Sequence, residues 1–437
     1  MSVQIDFSKY EELFDKSFVR KYGRVSQVVG LTIESEGPDV NVGRKCFIRT
    51  TSGSEPVTAE VVGFKHNKIL LMPLGDMSGV GPGSVVEASD MPLSVNISED
   101  ILGRVVDGLG EPMDGFGPFR NSKSYPVTNP PPDPLKRNMI RQPLTLGVKA
   151  IDGLLTIGKG QRVGIFAGSG VGKSTLMGMI ARNTSADINI IALVGERGRE
   201  VREFIENDLG EEGLRRSVVV VATSDRPALE RLKAAQVATS IAEYFRDKGK
   251  DVLFLMDSLT RYAMAQREIG LAIGEPPVSR GYTPSVYSVM PKLLERAGCS
   301  EIGSITGLYT VLVDGDDLTE PVTDTARGIL DGHIVLNRAI AARNQYPAID
   351  VLASVSRVMS AIITPEHKAA ANKFKKTMAV YASNEDLINI GAYAKGSNPE
   401  VDYAIDVHSR VLEFLSQDTH EKFEYDDAVN KLIEIVS

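Results

Sequence analysis

The chain is poor in residues that build covalent or metal frameworks. Its 437 residues include two cysteines, Cys46 and Cys299, and five histidines. Cysteines so far apart exclude a disulfide scaffold and fit a reducing compartment. The histidines are scattered, which argues against a zinc site. No run approaches the roughly 18 apolar residues that a membrane-spanning helix needs. The opening, MSVQIDFSKYEELFDK, lacks the apolar core of a signal peptide. These absences predict a cytoplasmic protein. Positive charge is also in short supply, with 49 Lys and Arg against 57 Asp and Glu, a net of −8. That balance argues against a generic nucleic-acid binder. What remains is 42% hydrophobic and 24% charged, the mixture of an ordinary soluble chain. Its length suggests about three domains.

The texture changes along the chain. Residues 7–20 read as a helix, with Ser8 and Glu11 placed for a capping box and Phe7, Tyr10, Phe14 and Phe18 on one stripe. From 22 to 92, short β-rich runs such as KCFIRT, TAEVVGFK and KILLMPL alternate with Gly, Pro and Asn turns. This pattern predicts a small β-barrel. Residues 93–145 are rich in Gly and Pro, including VTNPPPDPL, and read as a connecting segment laid over a domain surface. From about 146 to 360, continuous apolar runs (RVGIFAG, INIIALVG, SVVVVAT, DVLFLMDS, ITGLYTVLV, HIVLN) alternate with helical patterns. Such runs are expected of buried parallel strands covered by helices. Residues 361–437 carry helical periodicity without a strand. The expected division is 1–21, 22–92, 93–360 and 361–437.

Three motifs carry chemistry. AGSGVGKST, from Ala167 through Gly168, Ser169, Gly170, Val171, Gly172, Lys173 and Ser174 to Thr175, follows the strand run at 162–166 and opens a helix. It matches the phosphate-binding loop, with Ala167 where the stricter pattern has Gly. Glycines let the backbone wrap so that its N–H groups face phosphate oxygens, and the helix N-terminus adds its dipole. Lys173 then reaches the terminal phosphates and Ser174 ligates Mg²⁺. In DVLFLMDSLTR a buried strand ends in Asp257, where phosphate-loop enzymes keep a carboxylate for the magnesium. IALVGERGREVREF places Glu196, Arg197 and Glu200 at the mouth of another strand. Strand C-terminal ends line the ligand crevice of open parallel sheets. Glu196 is therefore placed to polarise a water in line with a γ-phosphate, Arg197 to touch that phosphate, and Glu200 to sit in the magnesium's second shell. Standing alone, the same stretch is an ordinary solvated helix start. YPAIDVLASVSR adds Tyr346, a flat face for a purine or an ordinary core tyrosine, and Arg357. Supplied to a neighbouring subunit's site, an arginine of that kind accelerates phosphoryl transfer by about 10³–10⁵, roughly 4–7 kcal/mol of barrier.

GERGREV, DSLTRYAMAQRE and YPAIDVLASVSR together resemble the catalytic subunits of the rotary ATPase superfamily, and more narrowly the flagellar protein-export ATPases. The likeness runs over residues 22–437. It implies a β-barrel, a RecA-like parallel-sheet core and a helical end, assembled as a homo-hexamer with ATP and Mg²⁺ between subunits. It also implies matched roles: Lys173 and Ser174 in the phosphate loop, Asp257 beside magnesium, Glu196 as catalytic glutamate, Arg197 on phosphate, Tyr346 on adenine and Arg357 in the neighbour's site. The implied partners are export substrates, chaperones, a membrane export gate that the protein joins peripherally, and a stator-like regulatory protein on the N-terminal segment. No nucleic acid is implied. NIGAYAKGSNPEVDYAI stands where synthase subunits carry an acidic loop. FLSQ (414–417) resembles a run beside the synthase adenine pocket, with Thr419 in place of the aromatic that follows there. Other readings are a non-flagellar secretion ATPase, a rotary synthase subunit, a non-catalytic nucleotide-binding ring subunit and a hexameric RNA translocase. The acidic charge and the lack of clustered aromatic–basic motifs in the barrel oppose the last.

Overall fold

The computed structural model describes residues 19–50, 55–313, 317 and 319–437. The helix expected at 7–20 therefore lies almost wholly outside the described residues. Two compact units emerge. One comprises the described residues up to Ser94 with Pro227–Glu230 and Glu268–Pro276, and the other comprises the rest.

The first unit is a closed antiparallel barrel. Its strands are β1 (Tyr22–Val29), β2 (Thr32–Glu36), β3 (Lys45–Ile48), β4 (Val57–Lys65), β5 (Lys68–Pro73) and β6 (Val85–Ala88), in the order β1-β2-β5-β4-β3-β6. Closure leaves no free edge. The interior is filled by Val25, Ile33, Cys46, Ile48, Val61, Leu71 and Val86, all essentially buried. The run GRVSQVVGLTIES is two strands, turned at Gly30, whose φ is +57°.

The second unit is built on a nine-stranded sheet. Its members are β8 (Val105–Asp107), β10 (Arg162–Ala167), β11 (Ile188–Val194), β12 (Ser217–Ala222), β13 (Asp251–Asp257), β14 (Gly298–Cys299), β15 (Ser304–Leu312), β16 (Gly332–Leu336) and β17 (Ile349–Ser356). The order is β17-β16-β10-β15-β13-β11-β12-β8, with β14 beside β15. The apolar runs read from the sequence are its interior strands and pair in parallel. The edge strand β17 is antiparallel to β16.

Residues 93–145 are more than a surface connection. Within them β7 (Ser94–Ile97) pairs with β9 (Lys123–Pro126), and β8 extends the sheet in parallel with β12. Three residues are too few to show a period, so β8 gave no pattern to read. The segment after β9 is held by a buried ion pair. Arg296 binds Glu243 at 2.7 Å and donates to the Val127 carbonyl at 3.0 Å, while Asn129 donates to Glu243 at 2.8 Å.

After β17 the chain is helical, as its periodicity predicts. The main helices span Pro365–Asn389, Pro399–Leu415 and Tyr425–Val436. Phe374, Val411, Phe414 and Leu432 join Ile151 and Leu154 of the helix Lys149–Leu154 in one hydrophobic core.

Candidate nucleotide site

Helix α1 (Lys149–Leu154) precedes β10, and the helices that build the site are α2 (Lys173–Asn183), α3 (Gly198–Glu203) and α4 (Leu259–Ile273). Strand β10 runs straight into the 168–172 loop and then α2. Gly170 and Gly172 adopt φ of +77° and +86°, a region that side chains with a Cβ enter only at a cost. The loop thereby curls back over the N-terminus of α2, where free N–H groups and the helix dipole favour an anion. It opens on a cavity of about 460 Å³, lined by Ala167–Gly170, Gly172–Thr175, Glu196, Arg197, Glu200, Arg261, Leu312 and Val313. Val171 instead buries its side chain in the core.

Parallel pairing of β10, β15, β13 and β11 brings their C-terminal ends to this cavity. The ends of β11 and β13 deliver Glu196 and Asp257 to either side of Lys173. The Lys173 ammonium bonds the Asp257 carboxylate and lies 3.7 Å from Glu196 Oε1. Thr310 Oγ1 donates to Asp257 Oδ1 at 2.7 Å. Burial pushes the Glu196 carboxyl up to about 7; the Asp257 charge adds to the rise and Lys173 opposes it. Burial acts the same way on Glu200, but hydrogen bonds from Glu196 and Arg197 outweigh it and hold that carboxyl below its usual range. Two neighbouring carboxyls driven apart in this way leave one ionised and one poised near neutrality. Arg197 is largely exposed and pairs with Glu200 at 3.0 Å.

Arg261 is the charged lining residue that sequence reasoning missed. It stands on α4, four residues after Asp257, and packs against Gly195, where an added Cβ would come within 2.9 Å of it. Its Nε is buried without a hydrogen-bond partner among the described residues. The signal was present in DSLTR, one helical turn past the strand-end carboxylate.

The oxygen donors of Ser174 and Asp257 suit a hard cation such as Mg²⁺. Among the described residues no cluster of three or more His, Cys, Asp or Glu is placed to hold a metal. That donor set fits an ion carried largely by phosphate oxygens and water, which is how Mg²⁺ usually binds.

Strand β17 carries the remaining two residues to opposite ends of the sheet. Because it runs antiparallel to β16, its start, Ile349, lies by Leu336 and hence beside Ala167 at the loop end. Tyr346, just before it, places its ring next to Gly172: a Cβ there would sit 3.5 Å from Tyr346 Cδ1. The ring is 42% exposed. The other end, Ser356, pairs with Gly332. There Arg357 donates from its backbone to Asp331 O at 3.1 Å and from Nη2 to Arg327 O at 3.2 Å. Asp331 in turn holds Arg162, the first residue of β10. Arg357 therefore sits a full strand length, about 17 Å at 3.3 Å per residue, from its own chain's phosphate loop. It is exposed, and the structure does not bring it into this cavity.

Comparison with known proteins agrees with this geometry. Residues 147–356 match the ATP synthase alpha/beta family nucleotide-binding domain, residues 25–90 its beta-barrel domain, and residues 363–434 the T3SS EscN ATPase C-terminal domain. The flagellum-specific ATP synthase of Bacillus subtilis is 59% identical over 403 residues, 92% of each chain. The type 3 secretion system ATPase of Xanthomonas euvesicatoria is 51% identical over 97% of this chain and 96% of its own. The assembled ATPase EscN of enteropathogenic E. coli superposes with a TM-score of 0.90 at 47% identity, covering 95% of this chain and all of that one. A second EscN structure, in complex with its central stalk EscO, gives 0.88 at 46% identity, with the same coverage of both chains. A cavity with a lysine between two strand-end carboxylates, in a chain matched almost end to end, is that of a nucleotide-hydrolysing enzyme, and the protein belongs to the family of flagellar and type III secretion ATPases.

Proposed function

We propose that this chain is the Mg²⁺-dependent ATP hydrolase of a flagellar type III export apparatus. The placement of Lys173 between Glu196 and Asp257 at the phosphate loop carries the hydrolytic part of the reading. The 59% identity to a flagellum-specific relative supports the flagellar part. An injectisome ATPase is the related second reading, supported by the 51% identity to a secretion-system enzyme.

ATP places its phosphates on the 168–173 backbone and Lys173. Tyr346 offers its exposed face to the adenine. Glu196, desolvated and near neutrality in affinity for a proton, orients the attacking water and takes up its proton. Arg197 and Arg261 reach the γ-phosphate, and Arg261's unpartnered Nε gains an acceptor there. Ser174 and Asp257 would hold magnesium, with Glu200 in the outer shell, and the ion would supply neutralisation of phosphate charge there. Arg357 serves the next subunit. Contact at opposite ends of one sheet makes a head-to-tail interface, which closes into a ring when its rotation divides a full turn, in this reading a homo-hexamer. Domain limits at 21, 92 and 360 complete the proposal.

The protein acts in the cytoplasm, peripherally on a membrane export gate, with export substrates, their chaperones and a central stalk as partners and no nucleic acid. Among the described residues no helix is long and apolar enough to cross a membrane. A chromosomal deletion should abolish motility and export of flagellar subunits while growth on respiratory substrates is unaffected. Normal motility with impaired secretion of effector proteins would replace the flagellar reading by the injectisome one.

The N-terminal stripe of Phe7, Tyr10, Phe14 and Phe18 is proposed to dock a stator-like regulatory protein. A helix this short is marginal alone in water, and aromatic anchors in a groove are a common recognition mode. Deleting residues 1–20 should leave the melting temperature and basal ATPase near wild type and abolish co-purification with the partner. A substantially lower melting temperature would assign the stripe to the protein's own core.

A further inference from the structure

We infer that Gln417 is a positioning residue for the nucleotide base, acting through Tyr346. The inference rests on the reading of Tyr346 as the adenine platform. Gln417 lies just past the helix Pro399–Leu415, after Ser416. Its backbone N–H donates to the Tyr346 carbonyl at 2.9 Å. Its side chain is only 6% exposed and uses every polar position it has. Oε1 accepts from Lys149 N at 2.9 Å, and Nε2 donates to Gly147 O at 2.8 Å and to Glu421 O at 3.0 Å.

Each of those partners is itself fixed. The Gly147–Lys149 turn leads into α1, where buried Asp152 accepts from Leu146 N at 2.9 Å and from Gly147 N at 2.8 Å. The loop after Gln417 is tied to the phosphate-loop helix, because Arg182, near the end of α2, donates to Thr419 O at 2.5 Å. The backbone of Tyr346 is thus located against both ends of the phosphate-loop module by one residue, whose main-chain N–H holds Tyr346 and whose side-chain amide fixes that main chain against residues 147, 149 and 421. Tyr346 itself is half-exposed, and the only atom of it that Gln417 grips is a main-chain oxygen, which leaves the ring face free for a ligand. Only an amide satisfies one N–H and two carbonyls at once. A carboxylate would set negative charge against Gly147 O and Glu421 O, and an apolar side chain of the same length would take the buried Lys149 N–H and Gly147 carbonyl away from this partner.

The position matters for base recognition and not for phosphate chemistry, so the effect belongs in KM for ATP. In full-length Gln417→Met and Gln417→Glu, KM for ATP should rise about tenfold, since stacking on an aromatic is worth about 1–3 kcal/mol per base. kcat should hold within about twofold, because the groups around the γ-phosphate are untouched. Inhibition by inorganic tripolyphosphate, which has no base, should keep its wild-type constant. On a Tyr346→Ala background the Gln417 substitutions should add nothing further to KM. The inference is overturned if KM for ATP is unchanged in Gln417→Met and Gln417→Glu, if tripolyphosphate and ATP weaken together, or if the effect adds in full to that of Tyr346→Ala. A Tyr346→Ala enzyme with wild-type KM would instead remove the platform reading itself. Should Gln417→Glu lose its fold, Gln417→Met, which keeps the volume and adds no charge, decides the matter.

Discussion

Replacing Glu196 by Gln should cost about 10²–10⁴ in turnover and leave ATP affinity near wild type. The amide keeps the shape at the end of β11 but cannot accept a proton from water. The phosphate loop, Lys173 and Tyr346 are untouched, so binding survives. Lys173→Ala should do the reverse to binding, because it removes the cation that meets the terminal phosphates and leaves Glu196 and Asp257 facing each other across the gap. Calorimetric ATP affinity beside steady-state turnover separates the two. The same carboxyl sets a pH dependence. Its affinity for protons is raised to about 7 by burial and by Asp257, and the base works only when deprotonated. kcat/KM should therefore climb with pH through about 7 and level off above it, and Glu196→Gln should lose that limb. A wild-type rate in Glu196→Gln, or the same limb persisting at the residual rate, would take Glu196 out of the reaction.

Removing Arg357 should cost still more. Arg357→Ala is expected to lower kcat by about 10³–10⁵ while ATP affinity and the fold of the isolated chain stay intact. Among the described residues Arg357 makes one side-chain hydrogen bond, to a main-chain oxygen at the end of the helix Pro321–Ile329, and its loss leaves no buried charge unpaired there. Lys at this position should recover little, since it lacks the planar fork that meets two phosphate oxygens. Wild-type specific activity should rise with protein concentration as rings form, and the variant should stay low at every concentration. Turnover measured across a dilution series checks both.

The parts of the site that the sequence made legible are those whose chemistry is local. Gly170, Gly172, Lys173 and Ser174 are read together because the loop must wrap within a few residues. Asp257 and Glu196 follow from buried strands that end in a carboxylate, and parallel pairing then brings them together around Lys173. Other features depend on register, which no local pattern encodes. Tyr346 and Arg357 sit eleven positions apart in the sequence, yet the antiparallel turn of β17 sends them to opposite ends of the sheet. Arg261 hid on a helix whose neighbour in space is Gly195. Strand β8 was too short to carry a period, and β17's direction was invisible in a run that merely looks extended. Gln417 gains its importance from partners at 147, 149 and 346, which only the folded chain assembles.

We propose that each active site is completed by the Arg357 of another copy. That claim is tested most directly by mixing two variants that are each inactive. Glu196→Gln chains keep Arg357 and Arg357→Ala chains keep Glu196. When they are mixed in equal amounts and allowed to co-assemble, about a quarter of the interfaces in a head-to-tail ring hold both intact residues. ATPase activity should reappear toward that fraction of the wild-type rate and should depend on assembly. No recovery in mixed rings whose co-assembly is verified would contradict the account and confine Arg357 to its own chain or to no catalytic role.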